Sequence, residues 1–146
     1  MVVSTALVDT NILISASTPS RAFHLQAVAA IDEWFRQGKS LCTSGQVLRE
    51  YLVTATRPLE RNGLGLTNVD ALSNIATYQR RMRFLDETEA VAQKLRLLVE
   101  ETKCSGKQLH DANLVATAVT HGVKQLVTEN YNDFKRFSTY VEVLTL

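Results

Sequence analysis

Five side chains in this sequence pair oxygen donors with positions where chemistry is commonly done: Asp9, Glu50, Asp111, Asn130 and Asp133. Asp9 follows directly on Thr5-Ala6-Leu7-Val8, a short apolar and β-branched run. Glu50 rides on a helical stretch after a second such run, Asp111 opens a later helix, and Asn130 and Asp133 come just after a run ending at Thr128. Carboxylates are hard donors of the kind Mg2+ or Mn2+ prefers, and Mg2+ uses few protein ligands, keeps several waters and shares its site with substrate phosphate. Acids gathered at one edge would therefore suit metal-assisted cleavage of a phosphodiester. Spacing alone allows a blander account. There are fifteen Asp and Glu residues in the chain, and carboxylates collect at helix starts because the positive end of the helix dipole favours them.

The elements that would position these groups alternate. Met1 to Val8 reads as a strand, with Asp9-Thr10-Asn11 as a polar turn and a Pro-containing polar stretch after it. Ala22 to Gln37 places Leu25, Val28, Ile31 and Phe35 at helical spacing before Gly38. Ser40 to Thr43 is a second strand. Ser44 can cap a helix with Val47, Leu48, Tyr51, Leu52 and Ala55 on one face. Thr56 to Leu66 is irregular, broken by Pro58, Gly63 and Gly65, and Thr67-Asn68-Val69-Asp70 then offers a capping start to a helix buried through Leu72, Ile75 and Ala76. Met82 to Leu85 is a third strand, and Asp86-Glu87-Thr88-Glu89 opens a helix with Val91, Leu95, Leu98 and Val99 inward. Leu109 to Thr120 is helical up to Gly122, and Lys124 to Thr128 and Tyr140 to Leu144 complete the strands. Such alternation predicts a three-layer α/β/α sandwich around a parallel sheet, with residues 1–146 as one domain. In such a sheet, ligands bind beyond the C-terminal strand ends, where the acids fall.

Composition narrows the classes. The chain has 146 residues, 16 Lys and Arg against 15 Asp and Glu, and 45% hydrophobic residues. A net charge of +1 lacks the global basic excess of a protein bound to nucleic acid mainly through phosphates, so any such site must be local. Arg80, Arg81 and Arg83 form the densest basic cluster, with Arg49, Arg57 and Arg61 nearby in sequence, and are candidates for RNA contact, although such clusters commonly solvate a helix face. No apolar run is long enough to span a bilayer, and the N-terminus lacks the basic lead and length of a signal peptide. Cys42 and Cys104 form no CxxC pair, which fits a reducing cytoplasm better than a zinc knuckle or a disulfide framework. His24, His110 and His121 are scattered, only His110 standing beside a candidate acid, and Ser105-Gly106-Lys107 lacks the glycine and Ser/Thr of a phosphate loop. Trp34 reads as a core or dimer contact.

Four stretches resemble, in order, the acidic motifs of the PIN-domain family: Leu7 to Ile14, Val47 to Leu52, His110 to Ala118 and Val127 to Phe134. Thr56-Arg57-Pro58-Leu59 and the glycine-containing loop after it resemble a subset of VapC-type toxins. The resemblance spans essentially the whole chain. It implies an Mg2+- or Mn2+-dependent endoribonuclease, the toxin of a type II toxin–antitoxin pair, hydrolysing RNA by metal-activated water to leave 5′-phosphate ends. It further implies a small cognate antitoxin as inhibitor, a homodimer and a cytoplasmic location without a membrane.

By the same resemblance Asp9, Glu50 and Asp111 are the metal-binding, catalytic acids. The family's fourth acid falls near Asn130, with Asp133 three residues on. Either Asp133 substitutes, or Asn130 reaches metal-bound water, or one metal alone binds tightly. Thr10, Asn11, Thr128 and Asn130 would orient carboxylates or water around the metal. Two other readings compete. A receiver domain also gathers acids beyond strand ends, but it wants paired acids after its first strand and a Lys after a late one. A catalytically silent PIN domain would bind RNA or protein without cutting.

Overall fold

The computed structural model describes residues 4–146, so the first three residues of the expected Met1–Val8 strand lie outside the described residues. Five short strands, β1 (Thr5–Val8), β2 (Ser40–Ser44), β3 (Arg83–Leu85), β4 (Gln125–Val127) and β5 (Glu142–Leu144), form one sheet in the order β3-β2-β1-β4-β5. All four pairings are parallel, with Leu7 opposite Cys42 and Leu126, and Ser44 opposite Leu85. Ala6, Leu7, Val8, Leu126 and Val127 are fully buried, as expected of central parallel strands covered on both faces.

Parallel neighbours need long crossovers, and helices supply them. Helices α1 (Thr10–Ser17) and α2 (His24–Arg36) join β1 to β2, and α3 (Gly45–Thr56) and α4 (Asn68–Arg81) join β2 to β3. These four pack against one another as one layer, while α5 (Glu89–Thr102) and α6 (Gln108–Thr120) pair closely on the path from β3 to β4 and meet α7 (Tyr131–Phe134). The expected three-layer α/β/α sandwich is thus the observed one.

Side-chain caps set several helix starts. Ser44 accepts from the Val47 amide, Thr67 from Asp70 and Thr88 from Val91, each contributing about 1 kcal/mol by satisfying an amide the helix leaves unpaired.

Three local expectations are corrected. The polar turn after β1 is instead the start of α1, which begins at Thr10 with Asp9 as its cap and buries Ile12, Leu13, Ile14 and Ser15. A helix buried almost all round has no amphipathic period to read. In α2 the buried residues are Ala27 and Ile31, while Leu25 is 77% exposed and Phe35 carries the Arg81 guanidinium 4.8 Å above its ring. Of the expected stripe Ile31 is buried and Val28 half-buried, whereas Leu25 and Phe35, at its two ends, turn outward. In α4 the buried pair is Ala71 and Ile75; Leu72 and Ala76 face solvent. Strand ends also shift slightly, Tyr140 lying in a turn before β5, and α7 occupies a stretch to which the sequence assigned no element.

Candidate active site

The chain runs outward from β1 to β2 and β3, then returns to lay β4 on the other side of β1. The order in which strands are added therefore reverses between the parallel strands β1 and β4, and a crevice opens beyond their C-terminal ends. Asp9 follows β1 and Thr128 follows β4 at that point, and the Asp9 amide donates to the Val127 carbonyl at 2.9 Å.

Asp9 is 8% exposed and is held through both carboxylate oxygens. Oδ1 accepts from the Thr10 amide at 2.7 Å and Oδ2 from the Thr128 hydroxyl at 2.8 Å. The same hydroxyl accepts from Asn11 Nδ2 at 3.2 Å and from the Asn130 amide at 3.0 Å. Asn11 also accepts the Glu129 amide through Oδ1 at 3.2 Å. Thr10, Asn11, Thr128 and Asn130 thus form one hydrogen-bonded collar around Asp9.

Glu50, on α3, is likewise fixed at both oxygens, by the Thr10 hydroxyl at 3.0 Å and by Gln46 Nε2 at 2.9 Å. Gln46 is 2% exposed. Its Nε2 also donates to the His110 carbonyl, and its Oε1 accepts from Asn113 Nδ2, which donates in turn to Glu87. Sequence reading missed this chain. Gln46 lies four residues before Glu50, one helical turn away, but Asn113 and Glu87 come from α6 and the loop before α5, and only the fold joins them.

Asp111 lies in the first turn of α6 and Asp133 in α7. With Asp9 and Glu50 they line a cleft of about 530 Å³ that also takes in Asn130. Burial pushes the Asp9 carboxyl from its ordinary 3.8 up to about 6; the Thr128 and Thr10 hydrogen bonds pull it back, while Glu50 and Asp133 add to the rise. Asp111 is pushed up to about 7, first by burial and then by Asp9, Asp133 and Glu50, with Arg136 opposing. Both therefore resist ionisation, partly because the other acids are close enough to repel them.

Hard carboxylate oxygens in this arrangement suit Mg2+ or Mn2+. No three His, Cys, Asp or Glu side chains among the described residues converge tightly enough to hold an ion as they stand. The acids ring an open cleft, which fits an ion retaining much of its water better than one enclosed by protein ligands alone.

The predicted basic cluster lies elsewhere. Arg81 pairs with Asp32 at 2.8 Å, Arg80 bonds Thr77 at 3.3 Å, and Arg83 starts β3; none of the three lines the acidic cleft. Arg21, Arg49 and Arg57 do. Arg21 is tied to Ser15 at 3.2 Å and lies 3.8 Å from Glu129, a carboxylate that also accepts from Ser15. The histidines stay out of the cleft: His24 and His121 bond backbone carbonyls, and the His110 ring does not line it. Ser105-Gly106-Lys107 is a turn before α6, and Trp34 is half-buried with the Lys39 ammonium 5.5 Å from its ring centre.

A parallel sheet with acids gathered at its switch point defines a class of fold and site, and the family is shown directly. The PIN domain model matches residues 6–139, and the chain belongs to the PIN domain family. Among solved structures the chain resembles VapBC2 of Rickettsia felis bound to a promoter DNA fragment, at a TM-score of 0.75 and 16% identity over 97% of this chain and 98% of that one. VapBC of Salmonella typhimurium, also DNA-bound, is similar at 0.72 and 17%, over 97% and 98%. VapC20 of Mycobacterium tuberculosis, a sarcin-ricin loop cleaving toxin, is similar at 0.65 and 21%, over 95% and 98%. At these identities the likeness is one of fold. No curated protein sequence is matched.

Proposed function

We propose that this chain is a divalent-metal-dependent endoribonuclease and the toxin half of a type II toxin–antitoxin pair. The observation that carries the reading is the ring of Asp9, Glu50, Asp111 and Asp133 around one cleft, with Asp9 and Asp111 raised partly by their neighbours' charge. Mutually repelling carboxylates at a switch point are stabilised by a bound cation. Membership of the PIN family and likeness to toxin–antitoxin structures support the toxin assignment.

Mg2+ or Mn2+ held by these acids would neutralise charge on the transferring phosphoryl group and favour ionisation of water. The chain's own part is to keep the acids placed. Thr128 and Thr10 fix Asp9, and Thr10 and Gln46 fix Glu50, so little reorganisation is needed when substrate arrives. As the fourth acid, Asp133 is favoured over Asn130, because a carboxylate lowers the energy of a divalent cation more than a neutral amide does.

The test is incubation of purified protein with RNA and Mg2+ or Mn2+. Internal cleavage that stops with EDTA and leaves 5′-phosphate ends is expected. A protein that binds RNA and never cuts it would be a silent PIN domain; one that takes phosphate from a small phosphodonor would be a receiver. For the partner reading, a small protein encoded beside this one should suppress the cleavage when co-expressed.

A further inference from the structure

The cleft has a basic lip as well as acidic walls. Along α3, Gln46, Glu50 and Thr54 follow at intervals of four, and Arg49, Val53 and Arg57 run parallel to them three residues further on. All but Gln46 line the cleft. Arg49 and Arg57 are exposed, and among the described residues neither guanidinium has an ion-pair partner. Arg21, Arg36 and Arg81 are each occupied by a carboxylate, so the two on α3 are the cations of this lip left free for a ligand.

Arg57 stands on a fixed backbone. It ends α3 with its amide on the Val53 carbonyl at 3.2 Å, and its own carbonyl accepts from the Gly65 amide at 2.9 Å. The returning segment pairs the last helix carbonyls, Leu64 to Thr54 at 3.0 Å and Leu66 to Ala55 at 2.9 Å. Gly63 presses so close that an added Cβ would sit 1.9 Å from the Arg57 carbonyl oxygen. The irregular Thr56–Leu66 stretch is therefore a closed loop that fixes where the Arg57 side chain leaves the backbone.

We infer that Arg49 and Arg57 hold a phosphate flanking the scissile one, placing an RNA strand so that the acids face the bond to be cut. This rests on the nuclease reading above. Four carboxylates repel a polyanion, and a divalent ion offsets that repulsion only where it sits; two guanidinium groups on the adjoining lip offset it for the neighbouring phosphate. The planar guanidinium fork matches phosphate oxygens in pairs, and the fixed backbone reduces the ordering cost of binding.

The test uses the full chain with Arg49→Gln, Arg57→Gln and the double variant, and Arg80→Gln/Arg83→Gln as the comparison. Binding of a single-stranded RNA oligonucleotide is measured over a salt series, in an Asp111→Asn background so that the strand stays whole. Loss of that phosphate contact in the double variant should lower the slope of log affinity against log salt by about 0.7. With Asp111 intact, KM should rise about tenfold per arginine, as for loss of a charge-assisted hydrogen bond, while kcat stays within about twofold. Thermal midpoints verify folding, and the Arg80/Arg83 variant should keep the wild-type slope. If wild type cuts RNA but the double variant matches it in slope and KM, the inference is wrong and the nuclease reading stands. If the Arg80/Arg83 variant loses the slope and the α3 variants keep it, the strand is held at the other cluster. If wild type neither binds nor cuts RNA, the nuclease reading fails and this inference with it.

Discussion

Asp9 and Asp111 carry the same charge into one cleft but are held differently. Asp9 accepts hydrogen bonds at both oxygens, whereas the Asp111 side chain accepts none among the described residues. Asn at 111 removes a repelled charge and breaks nothing; Asn at 9 must turn an amide N–H toward either the Thr10 amide or the Thr128 hydroxyl, which already accepts twice. Both substitutions should abolish cleavage. At pH 8 the thermal midpoint of Asp111→Asn should match or exceed wild type, while Asp9→Asn should fall below Asp111→Asn by the equivalent of about 1 kcal/mol, one hydrogen bond. Circular-dichroism melts beside a cleavage assay decide it, and wild-type cleavage by either variant would remove that residue from the site. Asp9, Asp111 and Asp133 were legible because they stand just after an apolar run or near a helix start, features visible within a few residues, whereas Glu50, inside α3, was marked by the resemblance of its motif. The partners of Gln46 and the arginines of the lip were not, because Asn113 meets Gln46 across 67 positions and a cation's role depends on the acids it ends up beside.

Elements carry the site as a frame, and the loop after α3 is its tightest joint. Gly63 has a backbone carbonyl where a Cβ would go, while Gly38 has a positive φ of 74° and open space around it. Gly63→Ala should therefore cost about 2 kcal/mol or more through backbone displacement, and Gly38→Ala about 1 kcal/mol, the conformational penalty alone. Urea unfolding of the two variants measures both; equal losses would mean that the loop has slack at Gly63. Periodicity marked this stretch as irregular and its motif resembled a subset of VapC-type toxins, but turn residues announce a break without saying what the chain closes against. The same blindness explains α1 and α2. Ile12, Leu13 and Ile14 are buried on successive positions, so no stripe signals a helix, and α2 carries two apolar stripes of which periodicity cannot say which one meets the sheet.

For the molecule as a whole, the acidic cleft links folding to protons and, on the proposed reading, to metal. In the metal-free protein Asp9 and Asp111 keep their protons up to about pH 6 and about pH 7, against 3.8 in the unfolded chain. As pH rises from about 4 to 7, the unfolded state loses protons that the folded state retains, so these two groups lower stability across that window and add no further slope above it. A divalent cation held there, as proposed, would act in the opposite direction, because it would bind the ionised carboxylates of the folded state and stabilise it by mass action. Its affinity should rise with pH up to about 7 and then level, with proton uptake by the buffer during binding below that point. The rise in thermal midpoint on adding Mn2+ should therefore be small at pH 5 and large at pH 8. Asp111→Asn should weaken both the pH-dependent loss in the metal-free protein and the gain with Mn2+. Melting curves from pH 4 to 9, with EDTA or Mn2+, together with calorimetry in buffers of different ionisation enthalpy, measure each quantity. A metal-induced gain that is the same at pH 5 and pH 8, or that persists unchanged in Asp111→Asn, would place the cation away from these carboxylates.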